Sequence, residues 1–541
     1  MARSSRSPQE YKEEFDHLDA QKRVFSSEFQ EIVDYVLPDR TNTSRWESPG
    51  QRRGISRYDS TAVKACELLA GNLATTLTPM QLQWFQIVPN AIELRENTDN
   101  KAWAQQCRDL MLNAMSTSNF YLTMDEVYLD LCGFGTAAPY AETLNNRLHL
   151  TCWPVREYVF TIGIDGRARS VFRKFNMTPI MLRDRFRDHP GKIELGASVD
   201  LALADNATAD LRNKNVEILH VVEPRQDYKA GRAGAKNMPY ISCYINCQDK
   251  VKIAEGGYME MPVSIPRWRV TADDKGWGRS PGFNAMPDVR SLNAMKKMMH
   301  RAAAKDLDPP LMIDDRGVIG SVRTRPNGIT YLRPNARMEY LTSGTRLDTG
   351  AFDLEDTRKA VREAFFADQL SMPPPQAKPM TATEWSSRWE LMERLLGPTL
   401  GRIQTELLNP IIERIFGMMM RGGQLPPPPP ELMEAELNIE YQGPGIKTQQ
   451  LPQAAAIERT YQTAAGLAQL SQDPSIMMRL DGHAAVKRIA HLYGYPADAM
   501  RGDEQIAEMM QQQAQQQQEM QQREDAALAA DMASKVQGGA A

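Results

Sequence analysis

The 541-residue chain is 42% hydrophobic and 24% charged, with 34 glycines and 34 prolines; 64 Lys and Arg against 68 Asp and Glu leave a formal net charge of −4. A chain of this length holds several domains of ~100–200 residues each, and the composition excludes collagen-like, disulfide-scaffold and wholly disordered classes. Near-neutrality also excludes a protein that coats DNA through bulk charge.

The first predicted element starts at Ser7-Pro8-Gln9-Glu10, where Ser7 is an N-cap, Pro8 takes the tolerated first position and Glu10 closes a capping box. Tyr11, Phe15, Leu18, Phe25, Phe29, Ile32 and Val36 then recur at helical spacing, which predicts one long amphipathic helix ending before Pro38. Further helices are expected from about Asp59 to Leu77 and from about Asp99 to Met115. Over 151–176 the period changes to two. Tyr158 to Ile162, the turn Asp165-Gly166 and Ser170 to Phe175 read as a β-hairpin. Strands are also expected at Val216–Val222, Tyr240–Ile245 and Ile265–Val270, with a polar, poorly periodic stretch near 191–213.

From Pro287 to Lys305 the pattern is helical again. Met286, Val289, Leu292, Met295, Met299 and Ala302 form an apolar stripe, and Arg290, Lys297, Arg301 and Lys305 a basic one; Pro309-Pro310 stops the helix. The loop Leu370 to Met380 is too proline-rich for helix or central strand. Thr381 to Glu384 is a second capping box, opening a helical block to Phe416 with bends at Gly397-Pro398 and Pro410. Pro426–Pro430 is a stiff spacer. Ten glutamines between Gln505 and Gln522 predict a disordered tail over 505–541.

Six cysteines without framework spacing suit a reducing, intracellular setting. The N-terminus has no apolar signal-peptide core, and no apolar run nears the ~18 residues of a spanning helix, so a soluble protein without membrane association is expected. Signals for chemistry are weak. Gly278-Arg279-Ser280-Pro281-Gly282 matches G-x-S-x-G formally, but a polar stretch precedes it and Pro281 has no N–H to offer an oxyanion. A tight loop leading to the long helix explains it better. Cys243 and Cys247 lie in a strand-like run with only distant His220 as helper, so buried thiols are expected rather than zinc ligands. The acidic pairs Asp273-Asp274, Asp314-Asp315 and Glu355-Asp356 are neighbours in sequence and point to different faces, which argues against a shared metal ion. No catalytic residue, metal or cofactor is expected. The alternatives are a hydrolase or metal-dependent nuclease around Ser280 or these pairs, and an internal scaffold or core protein.

One ordered set of motifs comprises Tyr58-Asp59-Ser60-Thr61, Leu69 to Leu73, Leu77-Thr78-Pro79 and Trp84-Phe85. Further on come Trp277 to Pro281, leading into Met286 to Asn293 with Asp288, and Met380-Thr381-Ala382-Thr383-Glu384 with Arg388, Leu396-Gly397-Pro398, Arg402, Glu406-Leu407-Leu408, Pro410, Arg414 and Gly423-Gln424-Leu425-Pro426. In this order the motifs resemble those of the head-to-tail connector, or portal, proteins of short-tailed bacteriophages (podoviruses). The family more often has Val where Trp385 stands. The resemblance covers roughly 1–500.

It implies a mixed α+β, mainly α, portal fold forming a homo-oligomeric ring, dodecameric in the family, at one capsid vertex of the virion, assembled in the host cytoplasm. The ring would carry double-stranded DNA non-specifically during packaging and ejection, and would dock terminase, tail adaptor, major capsid and scaffolding proteins. The implied division is a wing over 1–177, a first stem arm over 178–213 and a β-rich clip over 214–280. A second stem helix over 281–308, more wing over 309–399 with a tunnel loop at 370–380, and a helical crown over 400–504 follow. Lys378, Gln376, Lys297, Arg301 and Lys305 are the candidates to face DNA.

Overall fold

A computed structural model of the chain describes residues 6–40, 42–43, 57–144, 147–187, 189–205, 207–228, 234, 237–271, 276–314, 316–324, 327–341, 347–370, 396–433, 435–441, 444–471, 475 and 480–493. The tail over 505–541 and most of the proline-rich loop fall outside these residues. Two compact units are present. One comprises 1–82 and 111–424, the other 83–110 and 425–541.

In the larger unit the capping box forms as expected. The Ser7 hydroxyl accepts from the Glu10 N–H at 3.3 Å, and Glu10 Oε2 accepts from the Ser7 N–H at 3.1 Å. The expected single long helix is instead two, α1 (Pro8–Lys22) and α2 (Ser26–Tyr35), joined by a 3₁₀ turn at Arg23–Phe25. At that joint Lys22 turns inward, where Nζ donates to the carbonyls of Val155 and, at 2.9 Å, Tyr158. Helix α3 (Thr61–Leu77) starts two residues after Asp59.

Five antiparallel strands follow in the order β4–β8, namely β4 (Tyr158–Ile162), β5 (Ala168–Met177), β6 (Val216–Pro224), β7 (Tyr240–Asn246) and β8 (Val251–Tyr258), after the separate hairpin β2 (Pro139–Leu144) and β3 (Arg147–Cys152). Strand alternation sorts the side chains into two cores. Phe172, Leu219, Val221, Cys243 and Ile245 pack with Tyr11 and Phe15 of α1. On the other face Val216, Ile218, Tyr244 and Ile253 pack with Leu182 and Phe186 of a short helix, Pro179–Phe186, and with Val199 of another, Ala197–Leu203. The polar stretch near 191–213 therefore contains helix that covers the sheet. The sheet runs unbroken across the expected divisions at 177/178 and 213/214.

One strand expectation needs correction, and one strand was not expected. Residues 265–270 form no strand; Val263, Arg267 and Val270 make isolated bridges only. Pro266 interrupts the run and has no N–H for a ladder. Strand β8, with Gly256-Gly257 and little β-propensity, exists because β7 offers it an edge. The register also separates the zinc candidates. Val221 faces Cys243 and His220 faces Tyr244, so His220 and Cys243 point to opposite faces. Burial pushes the Cys243 thiol up to about 12 and Cys247 to about 11.

His220 is 2% exposed, stacks on Tyr244 at 4.0 Å and bonds Ser242 Oγ at 3.0 Å. Burial holds its imidazole well below the usual 6.5, with Arg185 and Arg173 acting in the same sense. The unfolded chain therefore takes up a proton below about pH 6.5 that the folded state refuses, so stability is full above that pH and falls as pH drops beneath it. His220→Gln is expected to flatten this acid-side loss in urea titrations run from pH 7.5 to 5; an unchanged pH profile would contradict the assignment.

The long helix spans Pro281–Leu307, six residues more at its start than expected, with Pro287 inside its second turn. After it come two nested antiparallel ribbons, Leu311–Ile313 with Met338–Tyr340 and Val318–Ile319 with Tyr331–Leu332. A second helix, Leu347–Ala364, packs along the first. The described part of the third helical block runs from 396 to Arg421 and contains a π turn at Gln404–Leu408. Pro410 explains it: without an N–H for the Glu406 carbonyl, and with its ring crowding that carbonyl, the helix widens just upstream.

In the smaller unit the first strand in chain order, β1 (Phe85–Pro89), pairs antiparallel with Leu437–Tyr441. Trp84 meets Phe85 edge-on at 4.8 Å and stacks on Tyr441. Asn97 and Asn100 both donate to Glu431 Oε2, at 3.0 and 3.2 Å, and Trp103 Nε1 donates to the Pro426 carbonyl. The motif pair Trp84-Phe85 thus stands at one end of a strand pairing in which Phe85 meets Tyr441, 356 positions later, which local periodicity could not reveal.

Candidate functional site

The basic stripe sits on the long helix. At ~1.5 Å per residue its 27 residues make a rod of about 40 Å. Only the first half is buried, through Ala285, Met286, Val289 and Leu292, against the N-terminal helices and the helix Phe120–Phe134; beyond Leu292 no residue of the rod is buried. Met298 and Leu307 are 67% and 87% exposed.

The base is fixed by the segment that mimics a nucleophile elbow. Ser280 is 1% exposed. Its Oγ donates to the Gly133 carbonyl at 2.6 Å and accepts from the Phe283 N–H, which makes it the N-cap of the rod. The Gly278 N–H donates to Thr136 Oγ1 at 2.8 Å, and Trp277 packs among Phe29, Tyr158 and Phe160. The Lys22 ammonium lies 5.4 Å from the Trp277 ring, and burial pulls it down to about 7. Every side chain of this segment therefore has a structural task.

Halfway up, Tyr58-Asp59 ties the rod to the helix Leu347–Ala364. The Tyr58 N–H donates to Asn293 Oδ1 at 2.8 Å, and its ring stands 6.0 Å from that of His300. Asp59 Oδ2 accepts from Arg358 at 2.7 Å, while Oδ1 takes the N–H and hydroxyl of Thr61. Burial pushes the Asp59 carboxyl upward, but the hydrogen bonds from Thr61 and Arg358 outweigh it and hold the group below its usual range. Arg358 carried no sequence signal; its partner 299 positions earlier did.

Of the DNA-facing candidates, Lys297 is half-buried and Arg301 and Lys305 are exposed on the open side of the rod, with no ion pair among the described residues. Arg290, at the base of the same stripe, is engaged by Glu31. Asp288 is half-buried on the first half of the rod, and Gly397-Pro398 begins the helical run at 396–403. Lys378, Gln376, Thr381, Glu384 and Arg388 lie outside the described residues, as does the pair Asp273-Asp274. Glu355 is engaged by Arg358 and Arg362.

A third tie was not foreseen. Glu406, in the π turn, accepts from the Arg267 N–H at 3.1 Å and from its Nε at 3.0 Å through Oε2, and from Nη2 at 2.7 Å through Oε1. Nearby, Glu260 accepts from both Arg414 and Arg421. Five charged side chains thereby bind the third helical block to the segment 260–270.

The sequence model of a family described as bacteriophage head to tail connecting proteins matches residues 8–500. A probable portal protein of Bordetella phage BPP-1 is 28% identical over 506 residues, spanning 91% of this chain and 88% of that protein. The portal protein of Salmonella phage epsilon15 is 26% identical over 504 residues, spanning 90% of this chain and 88% of that one. Among solved structures, a chain from the neck of an empty gene transfer agent particle aligns over 74% of this chain and 86% of its own, at 11% identity and a TM-score of 0.38.

Proposed function

The chain belongs to the bacteriophage head to tail connecting protein family, and we propose from that premise that it is the portal of a phage head, a ring of identical copies at one capsid vertex that passes double-stranded DNA. The observation that carries this is the match over 8–500, which includes every structural tie described above. Near-neutral charge supports a conduit that guides a polyanion without gripping it, because each neutralised phosphate releases counterions and strengthens binding.

The geometry also supports a division of labour. Two helices packed along each other and linked by small ribbons suit a helical stem at 281–307 and 347–364, with a docking tip at 309–341. That placement replaces the one at 178–280, whose strands and helices share one sheet and read as the body of the wing. Met312, Ile319, Tyr331 and Tyr340 of the ribbons are each more than half exposed, which suits contact with terminase and then tail proteins. Twelve copies, the crown over 400–504 and contacts with capsid and scaffolding proteins complete the proposal.

The chain acts structurally rather than as an enzyme in this reading. Ser280 supports it, since a buried hydroxyl donating to a backbone carbonyl has no access to substrate. Lys378 and Gln376 at the tunnel loop, with Lys297, Arg301 and Lys305 on the stem, are the proposed DNA-facing groups. Lys378→Ala is expected to leave ring assembly intact, by negative-stain imaging, and to reduce DNA retention in filled heads. Normal packaging and retention would remove Lys378 from that role.

A further inference from the structure

The stem helices carry opposite charges on their open sides. On the rod, Lys297, Arg301 and Lys305 form no ion pair among the described residues. On the helix Leu347–Ala364, Asp353 and Asp356 are exposed and likewise form none, while Glu355 and Glu363 are taken by Arg358 and Lys359 of their own helix. The Tyr58-Asp59 clamp sets the relative level of the two sets. It holds Arg358 beside the Asn293–His300 stretch of the rod. Asp356 and Asp353 precede Arg358 by two and five residues, about 3 and 8 Å along the axis. The three cations lie within about two turns of the same stretch. Both sets therefore occupy one band of the stem, yet on different helices of the same subunit.

We infer that Asp353 and Asp356 of one copy dock against the Lys297, Arg301 and Lys305 stripe of a second copy of this chain. Because the two patches differ, the contact is heterologous: each subunit offers its acidic helix to one neighbour and its basic helix to the other, and repetition closes a ring. The neighbour's carboxylates also temper the stripe, so that the cations attract passing phosphates less than three free charges would. This inference rests on the ring reading above and names one of its contacts.

The test is a charge exchange in the full-length protein followed by sedimentation velocity at 0.15 M salt. Lys297→Glu, Arg301→Glu and Lys305→Glu together are expected to weaken assembly at least tenfold. Adding Asp353→Lys and Asp356→Lys to the same chain reverses both patches and is expected to restore it. Circular dichroism of each variant should match the unaltered chain, since these side chains form no ion pair among the described residues. Rings that persist after the triple reversal, or a reversal that the second pair fails to rescue, overturn the contact while leaving the ring reading standing. An unaltered chain that sediments as single copies overturns both.

Discussion

Gly278→Ala is expected to destabilise the larger unit by upward of about 4 kcal/mol, far outside the usual 0.5–3 kcal/mol of a point change. The reason is a backbone-to-backbone approach. A Cβ at Gly278 falls 2.0 Å from the Gly135 carbonyl oxygen, and one at Gly135 falls 2.5 Å from that of Gly278. Neither obstacle is a flexible side-chain end, so one of two packed elements must shift. Gly135 also has φ +76°, as the left-handed residue that ends the helix Phe120–Phe134. Moving that corner displaces Thr136 and Gly133, the partners of Gly278 and Ser280, and with them the base of the rod. Gly71→Ala is the control: on α3 a Cβ there meets nothing within 4 Å, and alanine should stabilise the helix by about 0.5–1 kcal/mol. Urea melts of the two variants should move in opposite directions. A Gly278→Ala midpoint within error of the unaltered chain would mean that the rod is not anchored there.

The fold was legible wherever local signals and burial agree. Ser7 and Glu10 form their box, the Asp165-Gly166 turn joins the expected strands, and Ser280, disqualified as a nucleophile by Pro281, caps the rod by accepting from the Phe283 N–H. What escaped depends on partners distant in sequence. Strand β8 needs the edge of β7, and Phe85–Pro89 needs Leu437–Tyr441. The helix Leu347–Ala364 shows a broken apolar pattern until Leu354, Val361 and Phe365 find the rod and α3. The break between α1 and α2 follows the inward turn of Lys22, whose carbonyl partners lie 133 and 136 positions away. The extent of the sheet was hidden for the same reason. Strands at 216–258 look detachable in sequence, and only the ladder with β5 shows that they belong to the hairpin's sheet.

The candidate site was legible in its motifs but not in their purpose. Tyr58-Asp59 and Trp277 to Ser280 stand out as a shared pattern, and the structure gives each a mechanical role: one ties the helices Pro281–Leu307 and Leu347–Ala364, the other caps the longer one. A charge stripe announces itself by spacing alone, whereas its counterpart at Asp353 and Asp356 is visible only after the ion pairs of Glu355 and Glu363 are subtracted. Arg267 gave no signal at all, and Glu406 stood out only as part of the shared motif, since neither shows its partner until the fold closes.

That pair supports the second large expectation. Glu406→Ala should cost about 3–5 kcal/mol, because it leaves Arg267, 5% exposed, as a buried charge without its carboxylate. Three donors of one residue converge on Glu406, so the loss includes a backbone N–H as well as the guanidinium. Glu406→Gln keeps the shape and one acceptor and should lose less. Replacing both partners with Met removes the stranded charge and should recover part of the loss, so a double-mutant cycle is expected to show a coupling well above about 1 kcal/mol. Because the pair joins residues 262–270 to the helical block 396–421, the damage should be local at first. Hydrogen exchange of amides between 404 and 421 is expected to quicken before the five-stranded sheet responds. Coupling below about 0.5 kcal/mol, or uniform exchange across the unit, would show that the third helical block is held by its apolar face alone, through Ile403, Leu407, Ile411 and Ile415.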